Sequence, residues 1–385
     1  MKKLLIITGS FGNGHIQVTN SLVEELKNNY PDIEVIESDV YLEAHPNITP
    51  ILKKLYLTSF TYFRDIYGLV YHSGSKYPEI STYRYYSLKY LVNLVEDERP
   101  DLILLTFPVP AMAVLTKDFK INRPVATVIT DYSMHKSWLT PSSQRYYVAT
   151  EELKQQLVDL DCDESIVKVT GIPIKAKFEE ETDRKQWLEK FNLDSNKKTI
   201  LMVAGAFGVL KNFDKMIAKI LEEDLNGQIV VVCGKNEELK SDLEEKFGEN
   251  KEVCILGYTT DMKEWMSVAT VLITKPGGIT VTESLASKVP LILYKPTPGQ
   301  EKENAIYFNE KNMALIAENT EELLDRLIYL LNNENKLLEI KHAMEKNYKP
   351  SSAKNICQDL EELLNNNDYP SEIYDNTPII SKLMI

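Results

Sequence analysis

Cysteine is scarce and scattered. The 385 residues hold four, Cys162, Cys233, Cys254 and Cys357, none at the two-residue spacing of a metal knuckle or a redox dithiol. Neither a disulfide framework nor a zinc site is expected, and a reducing compartment fits. No apolar run reaches the roughly 18 residues a spanning helix needs. The opening Met1-Lys2-Lys3 and Leu4–Thr8 give way at once to the polar, glycine-rich Gly9–His15, too early for a secretory signal. Net positive charge is also missing. Lys and Arg number 44 against 57 Asp and Glu, a formal −13, which excludes nucleic acid as the main partner because phosphate neutralisation needs a basic surface. Low complexity is limited to Asn365–Asn367, and no internal repeat exists beyond two similar halves.

What is present is a globular composition, 43% hydrophobic and 26% charged, long enough for two domains of about 150–200 residues each. Short apolar runs alternate with helical spacings, the signature of α/β units on a parallel sheet. Strands are predicted at Lys3–Thr8, Glu34–Ser38, Asp101–Thr106, Val125–Thr130, Arg145–Ala149 and Val167–Thr170, with a first helix over Gln17–Asn28. The pattern restarts after Gly171-Ile172-Pro173, a hinge by composition, and a charged helix around Glu179–Phe191. Strands then follow at Thr199–Ala204, Gln228–Cys233, Val253–Leu256, Val271–Thr274 and Leu291–Tyr294, and helices at Glu321–Leu331, Glu334–Lys346 and Ala353–Leu364. Residues 1–170 and 171–349 are the expected domains, with 350–385 a C-terminal helix and tail packing back on the first.

Two glycine-rich turns carry the chemistry. Gly9-Ser10-Phe11-Gly12-Asn13-Gly14-His15 joins the first strand to the first helix, so backbone N–H groups and a positive helix end point at the sheet's carboxyl edge. Its GxxGxG spacing is neither the dinucleotide fingerprint nor a P-loop. His15 at the mouth of this turn is suited to taking a proton from a hydroxyl near neutral pH; the plain alternative is a histidine that caps the helix or bonds a carbonyl. In the second half, Lys275-Pro276-Gly277-Gly278-Ile279-Thr280 ends a strand and opens a helix, with amides accessible to a diphosphate and Glu283 placed for ribose hydroxyls. One strand later Pro298-Gly299-Gln300-Glu301 offers an amide and a carboxylate to sugar hydroxyls, with Asn304 just beyond. An ordinary strand–turn–helix with a solvated Glu283 is the alternative for the first of these.

Taken in order along nearly the whole chain, Gly9–His15 with Gln17-Val18-Thr19, Thr170-Gly171-Ile172-Pro173, Lys275–Gly278 with Glu283, and Pro298–Glu301 resemble a family of bacterial and plant glycolipid glycosyltransferases. That family includes the monogalactosyldiacylglycerol synthases and is related to the peptidoglycan N-acetylglucosaminyltransferase. The resemblance implies the GT-B fold, two Rossmann-like domains facing a cleft. It places the acceptor site and the base, His15, in the first domain. Asp131 joins His15 there, with Gly12, Asn13, Gly14, His135 and Trp138 on the acceptor side; for Asp131 a helix N-cap is the open alternative. The second domain would bind the UDP-sugar through Gly205, Tyr258, Lys275, Pro276, Gly277, Gly278, Thr280, Glu283, Gln300 and Glu301. The implied reaction is inverting transfer of glucose from UDP-glucose to diacylglycerol and then to the glucosylated product, giving mono- and diglucosyldiacylglycerol, a lipoteichoic acid anchor. Glucose follows from similarity to bacterial members; no residue decides it physically. Phe11-Gly12-Asn13-Gly14-His15 departs from the GGTGGH-like turn of the peptidoglycan enzyme, which weakens that role.

No metal is expected, because amides and a helix end face the leaving diphosphate. Asp159-Leu160-Asp161 and Asp161-Cys162-Asp163 match a DxD pattern but lie far in sequence from both turns and are expected to be solvated. Residues 51–90 carry Lys53, Lys54, Arg64, Lys76, Arg84 and Lys89 against Asp65 and Glu79, a net +4, and many tyrosines. Basic and aromatic side chains together suit an anionic membrane surface; tyrosines packed internally are the alternative. A cytoplasmic enzyme, peripheral on the inner face of the cell membrane, is expected. Rival functions are another UDP-hexose:lipid transferase (galactosyl or N-acetylglucosaminyl), a UDP-sugar epimerase and a nucleotide-sugar sensor.

Overall fold

A computed structural model describes residues 1–62, 85–117, 123–140, 143–205, 212–223 and 225–366. The chain divides into two units, Met1–Lys175 with Lys349–Ile385, and Ala176–Tyr348. The first break follows Lys175 and the second follows Tyr348.

The first unit is built on six parallel strands, β1 (Lys2–Thr8), β2 (Ile33–Asp39), β3 (Leu102–Leu105), β4 (Val125–Val128), β5 (Ser143–Val148) and β6 (Val167–Val169), in the order β2-β1-β3-β4-β5-β6. Leu4–Ile7 and Leu102–Leu105 are almost wholly buried, as strands covered on both faces must be. The Leu88–Glu98 helix presents Leu88, Leu91, Val92 and Val95 to Leu5, Ile7, Ile103 and Leu105. Each such buried side chain contributes about 1.5–3 kcal/mol.

The C-terminal helix, Ser352–Asn366, also belongs to this unit. Asp359 accepts a hydrogen bond from Tyr147 and pairs with Arg145 at 2.7 Å, and Cys357 lies against the Leu22 carbonyl. Gly171 has φ +82°, and a Cβ there would meet that of Lys349 at 2.9 Å, so only glycine fits. Ser352 seals the spot by donating to the Gly171 carbonyl at 2.8 Å.

The second unit repeats the plan with β7 (Lys198–Val203), β8 (Gly227–Val232), β9 (Val253–Leu256), β10 (Val271–Thr274), β11 (Leu291–Tyr294) and β12 (Ala314–Ala317), ordered β12-β11-β10-β7-β8-β9. In both sheets the winding reverses beside the opening strand, between β1 and β3 and between β7 and β10. Connections leave a reversal point in opposite directions and open a crevice at the carboxyl edge, where ligands of such sheets bind.

Three details depart from the sequence expectations. The first helix begins at Asn13, not Gln17, because the flanking glycines have poor helix propensity and conceal the start. The expected charged helix is a short 3-10 turn, Ala176–Glu179, followed by Arg184–Lys190. Asp183 sets the latter's start by accepting from the Gln186 amide at 3.0 Å. Strand β12, absent from the sequence reading, is an edge strand paired with β11; two of its four positions are alanine, a weak strand former.

Candidate active site

In the first unit the turn after β1 closes on the ends of β3 and β4. Gly9 allows it: a Cβ there would sit 2.9 Å from the Phe107 ring. Gly12 caps the Asn13–Asn29 helix without a side chain, leaving Asn13, Gly14 and His15 in its half-buried first turn. His15 Nδ1 lies 3.0 Å from the Thr106 carbonyl oxygen and 2.9 Å from the Thr130 hydroxyl. A carbonyl only accepts, so Nδ1 carries the proton and Nε2 keeps its lone pair. Behind it, the Thr106 hydroxyl pairs with that of Thr19 at 2.7 Å, and Phe107 meets the imidazole edge-on with centroids 4.7 Å apart.

Burial pushes the His15 pKa down from 6.5 to about 4, with the Thr106 bond opposing that shift. The imidazole is therefore neutral at pH 7. Between pH 6.5 and about 4 the unfolded chain binds a proton that folded His15 refuses. His15 thus subtracts stability as pH falls through that window and subtracts none above it.

Of the other residues expected on the acceptor side, Trp138 is buried with its ring 6.0 Å from that of His15. Asp131 follows Thr130 and is buried. It is not the cap of the short helix beyond it; His135 takes that place, accepting from the Ser137 amide at 3.2 Å. Lys53 and Lys54 lie on the Thr49–Tyr62 helix, and Arg64 lies outside the described residues. Asp159 accepts from Gln155, and Asp163 accepts from the Ser165 amide as a local cap. Among the described residues no three His, Cys, Asp or Glu side chains gather as a metal would need.

The second unit gathers its residues along one carboxyl edge. Gly277 caps the Gly278–Ala286 helix, whose first turn holds Gly278 and Thr280, with half-buried Glu283 one turn further in. Gly277 has φ −71°, and a Cβ there would meet no atom of the described residues within 4 Å. On the neighbouring strand Gly299, at φ +99°, opens the Gln300–Glu310 helix. Lys275 Nζ pairs with Glu301 Oε1 at 2.7 Å, and buried Asn304 donates to the Pro276 carbonyl at 3.1 Å. Across the reversal point Gly205 ends β7 at φ +84°. Tyr258, beyond β9, is 53% exposed, with Lys235 Nζ 5.4 Å from its ring.

Sequence reading named His15 but missed the groups that fix it, Thr106 and Thr130. They lie 91 and 115 residues away in the chain, and only the strand order brings them together.

Comparison with known proteins accords with these two edges. Residues 15–174 match the family model for monogalactosyldiacylglycerol (MGDG) synthase, and residues 183–350 match that for glycosyl transferases group 1. The chain is 51% identical over 385 residues to the processive diacylglycerol beta-glucosyltransferase of Staphylococcus aureus (strain MRSA252), covering 100% of this chain and 98% of the relative. Among solved structures, UDP-GlcNAc 2-epimerase from Neisseria meningitidis bound to UDP-GlcNAc gives a TM-score of 0.61 at 15% identity, covering 94% of this chain and 100% of that one. MurG of Acinetobacter baumannii gives 0.61 at 13% identity with the same coverage. These distant likenesses speak to the fold alone, and with two six-stranded parallel sheets they identify the expected α/β GT-B class. The chain is a glycosyltransferase and belongs to the family of the processive diacylglycerol beta-glucosyltransferases.

Proposed function

We propose that the chain transfers glucose from UDP-glucose to the free hydroxyl of diacylglycerol, and then a second glucose to the glucosylated lipid. The observation that carries this reading is the 51% identity over the full length to a diacylglycerol glucosyltransferase. The acceptor hydroxyl gives its proton to His15 Nε2 as its oxygen bonds the anomeric carbon, the bond from that carbon to the diphosphate breaks, and UDP leaves on the opposite face. One displacement turns an α-linked donor into a β-glycoside. Amides at the start of the Gly278–Ala286 helix face the departing charge. Glu283 serves the ribose and Gln300 the sugar hydroxyls, with Gly205 and Tyr258 bordering the same edge. Asp131 stands next to Thr130 as an acidic neighbour of the base. Labelled UDP-glucose incubated with diacylglycerol vesicles should move its label into lipid as a β-glucoside; label recovered only as free glucose or as another UDP-sugar would overturn the reading.

Two expectations follow from this chemistry. Helix-end amides stabilise the leaving group, so the rate in EDTA equals that without it; loss of activity restored by Mg²⁺ or Mn²⁺ would contradict this. A His15 pKa of about 4 keeps the base neutral well below pH 6.5. The acid limb of kcat/KM therefore lies near that lower value, and a limb centred at 6.5 would contradict it.

The lipid acceptor requires a docking face, which we place on the Thr49–Tyr62 helix. Ile48, just before it, and Ile51, Leu52 and Leu55 are 51%, 61%, 38% and 61% exposed. Their i, i+3, i+4, i+7 spacing makes one apolar stripe, and Lys53 and Lys54 beside it suit anionic headgroups. No helix among the described residues is long and apolar enough to cross a bilayer. Replacing Ile51 and Leu55 together by Asp should abolish co-sedimentation with anionic vesicles while UDP binding persists; undiminished co-sedimentation would move the docking face elsewhere.

A further inference from the structure

We infer that Thr19 is a positioning residue for the reaction, its hydroxyl acting through Thr106 to set where the Asn13–Asn29 helix carries the imidazole of His15. The role rests on the reading of His15 as the base.

His15 and Thr19 stand four residues apart, on one face of that helix. Both reach the same residue, just past the end of β3. The His15 ring takes the Thr106 carbonyl through Nδ1 at 3.0 Å, and the Thr19 hydroxyl meets the Thr106 hydroxyl at 2.7 Å. Thr106 is in turn hung from β1, its amide donating to the Ile7 carbonyl at 3.0 Å and its hydroxyl to the same oxygen at 3.4 Å. With the Thr106 proton turned there, Thr19 is the donor in the shorter bond. A helix held at one point can still turn about its axis and sweep the ring sideways. Held at two points a turn apart, it cannot.

Close approach is what the hydroxyls supply. Thr19 and Thr106 are 2% and 0% exposed, so their contact is part of the packing between helix and sheet. Two carbons in contact keep about 3.5–4.0 Å apart, whereas these oxygens stand at 2.7 Å. A methyl in place of either hydroxyl therefore presses the helix away from the sheet by up to about 1 Å. A shift of that size at a reacting group costs on the order of 10²-fold in rate. The Thr106 carbonyl is backbone and survives either change, so what alters is the placement of the ring and not its partner.

The test compares Thr19→Val, Thr19→Ser, Thr19→Val combined with Thr106→Val, His15→Ala, and Thr19→Val in the His15→Ala background. For each, kcat, the KM for UDP-glucose and the melting temperature are read. Thr19→Val lowers kcat by about tenfold or more and leaves that KM unchanged, while Thr19→Ser, which keeps the hydroxyl, stays within about threefold of the parent. Replacing both threonines leaves no buried hydroxyl without a partner and so regains melting temperature, yet kcat stays low because the close contact is gone. In the His15→Ala background Thr19→Val has no further effect on kcat, since it acts only through the ring. A Thr19→Val protein within about twofold of the parent, a kcat that recovers with the melting temperature when both threonines are replaced, or an undiminished loss in the His15→Ala background would overturn the role of Thr19. Parental turnover in His15→Ala alone would instead overturn the base.

Discussion

Replacing His15 by alanine lowers kcat by about 10²–10⁴-fold, the range over which positioned general bases contribute, while UDP affinity stays unchanged. The geometry fixes both halves of this expectation. Nδ1 is committed to Thr106 and Thr130, so the only basic atom of the ring is Nε2. Depression of the pKa to about 4 ensures that atom is unprotonated at neutral pH, at some cost in basicity. The donor amides lie in the other unit and should not register the change. Removing the ring also strips the Thr106 carbonyl of its donor, a loss of about 1–3 kcal/mol if water does not replace it. Thermal unfolding recorded beside kcat separates that effect from chemistry. Turnover by a folded His15→Ala protein within a fewfold of the parent would remove His15 from the mechanism.

Gly277→Ala raises the KM for UDP-glucose by about tenfold or more with only a small fall in melting temperature from the poorer helix cap. For most buried glycines such a substitution strains the fold, and Gly171 is an example, with positive φ and Lys349 in the way. Gly277 differs, since its φ of −71° suits any residue and an added methyl meets no atom of the described residues within 4 Å. As a helix cap glycine is only modestly better than alanine, whereas a diphosphate drawn close to the helix amides requires it. Titration with UDP alongside a melting curve reads both quantities. Wild-type affinity in this variant would mean the ligand does not approach Gly277.

Much of this was legible in the sequence because parallel strands buried on both faces read as unbroken apolar runs. Val253–Leu256, Val271–Thr274 and Leu291–Tyr294 match the observed strands residue for residue. The glycine turns were legible for a related reason, since glycine beside a strand end marks a close approach. What stayed hidden was either weak in local signal or distant in sequence. Strand β12 is alanine-rich and half-exposed at an edge, so it lacks the run that revealed its neighbours. Thr106 and Thr130 carry no pattern of their own; their bonds to His15 exist because β1, β3 and β4 lie side by side. The Lys275–Glu301 pair was visible only as two polar loops, since its partners come from the ends of two different strands.

The most direct test offers UDP-glucose, UDP-galactose and UDP-N-acetylglucosamine separately to the purified protein on vesicles containing diacylglycerol and reads the lipid products by mass. The expected result is one and then two hexose units on diacylglycerol, formed efficiently from UDP-glucose alone. Efficient transfer from either other donor, or no glycosylated lipid from any of the three, would contradict it.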